Sequence, residues 1–255
     1  MDPAPVAIIL RQSPDWGRLD DTFLAQTDAF DRLIGRPPGF TRGNIELWNA
    51  TFLVSFFETR SFLKELCLRN LRLVRGAEIY AGPLPAGGQA SVFLFVDDDD
   101  WFRPDVAGHL LPHADEVDGL TWWSIRYDGG VAVRSDADGF CFTNNYAVTR
   151  RAIREVGFSL DRFFQHGHAN AAFQSPGFCP AHLKLALSAT IKHPASTVAL
   201  EQSLAHGMTR DTLVASVESF VERAQRHRFD RDTDWMAKPA GEITDFFRRV
   251  LRHLR

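Results

Sequence analysis

The chain has 255 residues, of which 45% are hydrophobic and 24% charged, and its formal net charge is −3. That length buries a sizeable core in one large domain, or one domain with an appendage, and the balance is that of an ordinary soluble globular protein. The slight acidity gives no electrostatic case for nucleic acid as a partner, and no apolar run reaches the roughly 20 residues that span a bilayer.

The three cysteines, Cys67, Cys141 and Cys179, are widely spaced and form no CxxC pattern. This argues for a reducing compartment and against a structural zinc site. Met1-Asp2-Pro3-Ala4-Pro5 lacks a basic segment, and Val6 to Leu10 is too short for a signal-peptide core. A cytoplasmic location is expected.

Val6-Ala7-Ile8-Ile9-Leu10 reads as a short, fully apolar strand, followed by a polar loop from Arg11. Helical spacing runs from about Asp20 to Ile34 and is broken by Arg36-Pro37-Pro38-Gly39. Asn49 to Val74 reads as helix in two pieces, Ala77 to Tyr80 as a strand, and Gly82 to Gly88 as a loop. A buried strand, Ser91 to Val96, follows and runs into Asp97, Asp98, Asp99 and Asp100. Arg103-Pro104-Asp105 opens a short helix, Pro suiting its first turn and Asp105 its positive end.

Leu120 to Tyr127 and Val131 to Arg134 flank Asp128-Gly129-Gly130, a hairpin. Phe140 to Tyr146 reads as a strand leading to a helix from Thr149 to Val156, and Leu185 to Ile191 as a further strand. Two helices close the chain, about Arg210 to Arg226 and Glu242 to Leu254. The alternation implies a mixed α/β sheet flanked by helices, in a domain of residues 1–205 with a helical extension, 206–255, packed on it.

The four aspartates put a dense block of negative charge at the carboxyl end of a buried strand, where ligands bind in open α/β sheets. In an extended segment Asp97 and Asp99 point to one side and Asp98 and Asp100 to the other. An Asp-x-Asp pair there suits one divalent cation with hard oxygen ligands; a solvated acidic turn is the plainer alternative. An EF-hand loop counted from Asp97 needs Gly at its sixth position and Glu at its twelfth, which are Phe102 and Gly108 here. Asp97-x-Asp99 followed by Asp100 and Trp101 also fits a haloacid-dehalogenase-type phosphatase poorly.

The segment Phe95-Val96-Asp97-Asp98-Asp99-Asp100-Trp101-Phe102-Arg103-Pro104-Asp105 resembles the Asp-x-Asp-Asp motif of GT-A-fold glycosyltransferases, in particular the bacterial family-2-like and rhamnosyltransferase-like groups. A weaker likeness runs from Gly139 to Arg150, similar to the strand-to-helix segment on the acceptor side of that fold. The resemblance implies a GT-A-like, Rossmann-like mixed and mostly parallel sheet, and transfer of a sugar from a nucleotide-sugar donor. It implies Mg²⁺ or Mn²⁺ on Asp99, Asp97 at the ribose or the metal, Asp98 without an assigned task beyond the donor side, and Asp100 at the sugar or nearby amides. It also places the loop from Arg11 at the nucleotide base.

Inverting members carry a Glu-Asp pair downstream whose Asp is the general base. At the comparable place this chain reads Gln165-His166-Gly167-His168-Ala169-Asn170. Histidine accepts a proton near neutral pH, so His166 and His168 stand as substitute bases, with metal ligands or polar loop residues as the alternatives. His193, after another apolar strand, is the candidate third metal ligand or else a turn residue before Pro194, and Lys192 is placed to meet a phosphate. Trp122 and Trp123 either stack on a sugar or fill the core.

The last helix lines up Ile243, Phe246, Phe247, Val250, Leu251 and Leu254, with Arg248, Arg249, Arg252 and Arg255 elsewhere. Packing on the domain is the ordinary role of such a stripe, and contact with an anionic membrane the other. The expected acceptor is a glycan, a lipid-linked molecule or a small molecule. A catalytically silent nucleotide-sugar- or glycan-binding module, kept open by the missing Glu-Asp pair, and a metal-dependent phosphoryl-group enzyme are the competing readings.

Overall fold

The structure, a computed structural model, describes residues 5–11, 53–81, 90–134, 139–142, 144–194 and 210–255, with single positions between 21 and 32. Those single positions are helical, in keeping with the spacing of that stretch. The Arg36 to Gly39 breaker, the Gly82 to Gly88 loop and the boundary near residue 205 lie outside the described residues. No helix among the described residues is long and apolar enough to cross a membrane.

The described strands are β1 (Val6–Arg11), β2 (Ala77–Ala81), β3 (Val92–Asp97), β4 (Trp101–Phe102), β5 (Gly119–Tyr127), β6 (Val131–Arg134), β7 (Tyr146–Thr149) and β8 (Pro180–Ile191). They form one mixed sheet in the order β2-β1-β3-β7-β5-β8-β4, with β6 paired to β5. The helices are α1 (Leu53–Leu71), α2 (Val106–Leu110), α3 (Arg150–Arg154), α4 (His166–Phe173), α5 (Arg210–Arg226) and α6 (Ala237–Leu254). The mixed α/β sheet flanked by helices is therefore present. β1 is parallel to both β2 and β3, whereas β7 is antiparallel to β3 and β5, and β4 to β8.

Several boundaries depart from those read in the sequence. Leu53–Leu71 is one helix rather than two pieces, because Leu63, Leu66, Cys67 and Leu71 keep a buried stripe along its second half. The strand expected over Phe140 to Tyr146 begins only at Tyr146. β8 starts at Pro180 and is half exposed before its buried end, so its first half carries little apolar signal.

The chain divides into two compact units. The first comprises Met1–Gln12, Cys67–Ile125 and Val133–Thr190 and holds most of the sheet. β1 is buried along its whole length, as expected of a strand flanked by parallel neighbours and covered on both faces. One face carries Ala7 and Ile9 of β1, Phe93 and Phe95 of β3, and Tyr146 and Val148 of β7, the period-two set of each strand. Phe163, Phe164 and Phe173 close over it with Ala152 of α3 and Ala169 and Ala172 of α4. Each ring fully buried there contributes about 1.5–3 kcal/mol. Gly119 opens β5 beneath this cluster, where a Cβ would stand 2.5 Å from Phe173.

The second unit comprises Ser13–Leu66, Arg126–Ala132 and Ile191–Arg255. Its core joins α5 to α6: Phe220 and Phe247 are 4.9 Å apart, and Phe246 stacks on Phe62 at 4.3 Å. Ile243, Phe246, Phe247 and Val250 are buried, so the apolar stripe of the last helix is used in packing.

Candidate active site

β1 and β3 run parallel with Arg11 beside Asp97 in register. Alternation continues the aromatic face through Ala7, Ile9 and Arg11 on one strand and Phe93, Phe95 and Asp97 on the other. At the strands' carboxyl edge that face ends in a charged pair. Arg11 Nε lies 2.8 Å from Asp97 Oδ1, the arginine 2% exposed and the aspartate 28%. Arg11 Nη1 also donates to the carbonyl of Phe164 at 2.8 Å. Burial disfavours the Arg11 charge, but Asp97, Tyr146 and Asp100 outweigh it and hold the guanidinium above its ordinary pKa. The sequence placed Arg11 in a loop at a nucleotide base; it is instead the buried last residue of β1.

The four aspartates are a turn, not an extended segment. Asp100 N–H donates to the Asp97 carbonyl at 3.1 Å, and the chain re-enters the sheet as β4, both of whose residues are buried. Aspartate suits such a turn. Burial still alternates as expected: Asp97 and Asp99 are partly exposed, and Asp98 and Asp100 are buried. Thr190 Oγ1 is 3.4 Å from Asp100 Oδ2 and 3.3 Å from Asn144 Oδ1, and Asn144 Nδ2 donates to the Ala189 carbonyl at 3.0 Å. Buried Cys67 donates its thiol to the Asp97 carbonyl across 3.6 Å. Burial, then the field of Asp98, Asp100, Asp99 and Asp97, pushes that thiol well up and keeps it protonated.

His166 and His168 stand on α4 rather than in a loop, and both are exposed. Partial desolvation first, and then the Arg11 charge, hold the His166 imidazole below its ordinary pKa. Arg11 therefore acts on both Asp97, through the ion pair, and His166, through its charge. α4 is anchored by Asn170, whose side chain accepts from Cys141 N–H at 2.7 Å and donates to its carbonyl at 2.8 Å.

Of the remaining expected residues, two belong to the second unit. Lys192 is exposed in the second unit, and His193 is buried there with its ring 6.4 Å from that of Phe247. Among the described residues no three His, Cys, Asp or Glu side chains are grouped to hold a metal. Trp122 fills the core, its indole donating to Ser188 Oγ at 3.0 Å, while Trp123 is partly exposed.

Sequence reasoning missed Phe164, Tyr146, Asn144 and Thr190, whose partners are all distant in the chain. It also missed the Arg11–Asp97 pair, although a signal existed. Val6 to Leu10 and Val92 to Val96 are apolar runs of the same length, one ending in Arg11 and the other in Asp97.

No family model matches the chain, and no curated protein is significantly similar to it. Among solved structures it is similar to S. aureus TarS 1-349 in complex with UDP-GlcNAc, at 9% identity and a TM-score of 0.38 over 95% of this chain and 71% of that one. For TarS 1-349 alone the figures are 8%, 0.36, 95% and 70%. For its complex with UDP they are 8%, 0.34, 96% and 71%.

Proposed function

We propose that this chain is a GT-A-like glycosyltransferase that takes a sugar from a nucleotide-sugar donor at the Asp97–Asp100 turn. The observation that carries the reading is that Arg11, at the sheet's carboxyl edge, is paired with Asp97 of that turn and bonded to the Phe164 carbonyl two residues before His166. Strand-end carboxylates and an imidazole carried on the helix that follows Phe164 would supply the two things the reaction needs: a place for the diphosphate and a proton acceptor.

Asp99 and Asp97 are hard, partly exposed oxygen donors that suit Mg²⁺ or Mn²⁺, with Asp97 Oδ1 shared with Arg11. A cation bound there neutralises charge on the departing diphosphate.

In the transfer itself, the bond between the sugar's anomeric carbon and the phosphate oxygen breaks, and its electron pair leaves with the nucleoside diphosphate. The acceptor hydroxyl oxygen bonds to the anomeric carbon, and its proton passes to the neutral His166. Glycan, lipid-linked and small-molecule hydroxyls are the acceptor classes this chemistry admits.

The deciding experiment measures donor hydrolysis and transfer with Mn²⁺ over a panel of nucleotide sugars. Metal-dependent release of nucleoside diphosphate supports the transferase. Tight donor binding without turnover would make the chain a silent binding module. Phosphate release from simple esters alone would make it a phosphoryl-group enzyme.

A further inference from the structure

We propose that Arg11 is a positioning residue that ties the aspartate turn to His166, gripping the Asp97 carboxylate with one edge of its guanidinium and the Phe164 carbonyl with the other. The tie deepens the transferase reading, and rests on it only for what the joined site does.

The geometry is specific. The segment that leads into α4 offers two consecutive carbonyls to the sheet, and both are taken by side chains from strand ends. The Tyr146 hydroxyl on β7 donates to the Phe163 carbonyl, and Arg11 on β1 donates to the Phe164 carbonyl at 2.8 Å. Two residues further on, α4 begins at His166. The approach to the helix is thus fixed by the same edge that carries the aspartates, and Arg11 is the member that touches both.

A lysine has no planar fork and cannot serve the carboxylate and the carbonyl in the same way. At 2% exposure Arg11 is unavailable to a nucleotide base, so its donors act within the protein. After desolvation, its charge also acts on the imidazole and holds the His166 pKa down. Among the described residues, the other charged or titratable groups on elements adjoining His166 include Asp97 and Asp100 beyond Arg11, Tyr146 of β7 and Cys141, both protonated through burial, exposed Asp161 and Arg162 on the preceding 3-10 turn, and His168 on α4 itself.

The test uses the unliganded full chain and needs no turnover. The His166 ring resonance is followed by NMR as a function of pH, and amide hydrogen exchange is read over residues 164–168. In Arg11→Met the His166 titration should rise toward the ordinary value of about 6.5, and exchange over 164–168 should accelerate. In Arg11→Lys the charge remains and the fork is lost, so the titration should stay low while exchange still accelerates. A folded Arg11→Met with an unmoved His166 titration overturns the proposal. So does Arg11→Lys with wild-type exchange, which decides the matter even where the methionine variant does not fold. Wild-type protein that turns over no donor sinks the transferase reading and leaves this tie to stand or fall on the two spectroscopic results.

Discussion

The Arg11 guanidinium and the Asp97 carboxylate lie 2.8 Å apart because the parallel strands that carry them are aligned residue for residue. In a parallel pair, aligned side chains share a face, so two apolar runs ending in opposite charges bring those charges together where both strands stop. The consequence reaches past the pair. Four neighbouring aspartates raise one another's pKa unless a cation compensates. A buried guanidinium at the base of the turn places a cation beside Asp97, and its hydrogen bond to the Phe164 carbonyl reaches the segment that leads into α4.

Asp99 is the aspartate whose loss should separate binding from folding. It is partly exposed in the turn, so its removal should leave stability within about 0.5 kcal/mol of the parent. Calorimetry of Asp99→Ala with a nucleoside diphosphate should show at least about a tenfold loss of Mn²⁺-dependent affinity, roughly 1.4 kcal/mol. Unchanged affinity and unchanged Mn²⁺ dependence would remove Asp99 from the site.

His166 sets the expected pH profile. Its pKa lies below the ordinary 6.5 through desolvation and the Arg11 charge, so it is neutral and able to accept a proton at pH 7. Transfer should hold level through neutrality and fall only as pH drops below about 6.5, through the lowered pKa. Stability follows the same sign: the unfolded chain takes up the proton first, so acidification below about pH 6.5 costs the fold stability until the native imidazole also titrates. His166→Ala should slow transfer about 10²- to 10⁴-fold with donor affinity little changed. His168→Ala is the comparison, and equal rates in both variants and the parent would place the base elsewhere.

Several strands were legible because their signal is local. Val6 to Leu10 and Ser91 to Val96 are short apolar runs, and Asp128-Gly129-Gly130 is turn chemistry between two strand patterns. What stayed hidden depends on partners far along the chain. Phe140 to Tyr146 has strand composition, yet its first residues are held by the side-chain amides of Asn145 and Asn170 instead of a ladder. His166-Gly167-His168 shows no apolar period and contains a helix-weakening glycine, so nothing local marks it as helix. It is helical because Ala169, Ala172 and Phe173 bury themselves in the aromatic core. The candidate site was half visible for the same reason. The aspartates announce themselves, but the pairing of Arg11 with Asp97 and with the Phe164 carbonyl depends on strand register and on a partner far along the chain.

Asn145 should prove one of the costlier polar positions to change. It is fully buried; its Nδ2 donates to the carbonyls of Trp122 at 3.0 Å and Phe140 at 2.9 Å, and its Oδ1 accepts from Phe142 N–H. Asn145→Ala strands two carbonyls and one N–H, at about 1–3 kcal/mol for each group that water does not reach. A loss on the order of 3 kcal/mol in denaturant unfolding is expected. Asn145→Asp should be no better near pH 7, since it turns a carboxylate toward two carbonyls, and should recover part of the loss in acid, where the protonated form can donate again.

Gly129 tests the second unit in isolation from the candidate site. It sits at the tip of the β5–β6 hairpin with φ +94, and a Cβ there would lie 2.4 Å from the Phe220 carbonyl oxygen of α5. The same turn is gripped by Arg223, which donates to the Asp128 carbonyl from Nε at 3.0 Å and from Nη2 at 2.6 Å. Gly129→Ala therefore meets two obstacles, a backbone conformation that L-residues rarely adopt and a collision with main chain that cannot rotate away. The conformational strain alone is about 1–3 kcal/mol, and the collision pushes the hairpin off α5. Gly130 has neither obstacle: its nearest atom to an added Cβ is Asp128 Oδ1, at 3.9 Å. Thermal unfolding should show a clear loss for Gly129→Ala and a much smaller one for Gly130→Ala. Equal, small effects at both positions would mean that the turn is not held against α5 as described.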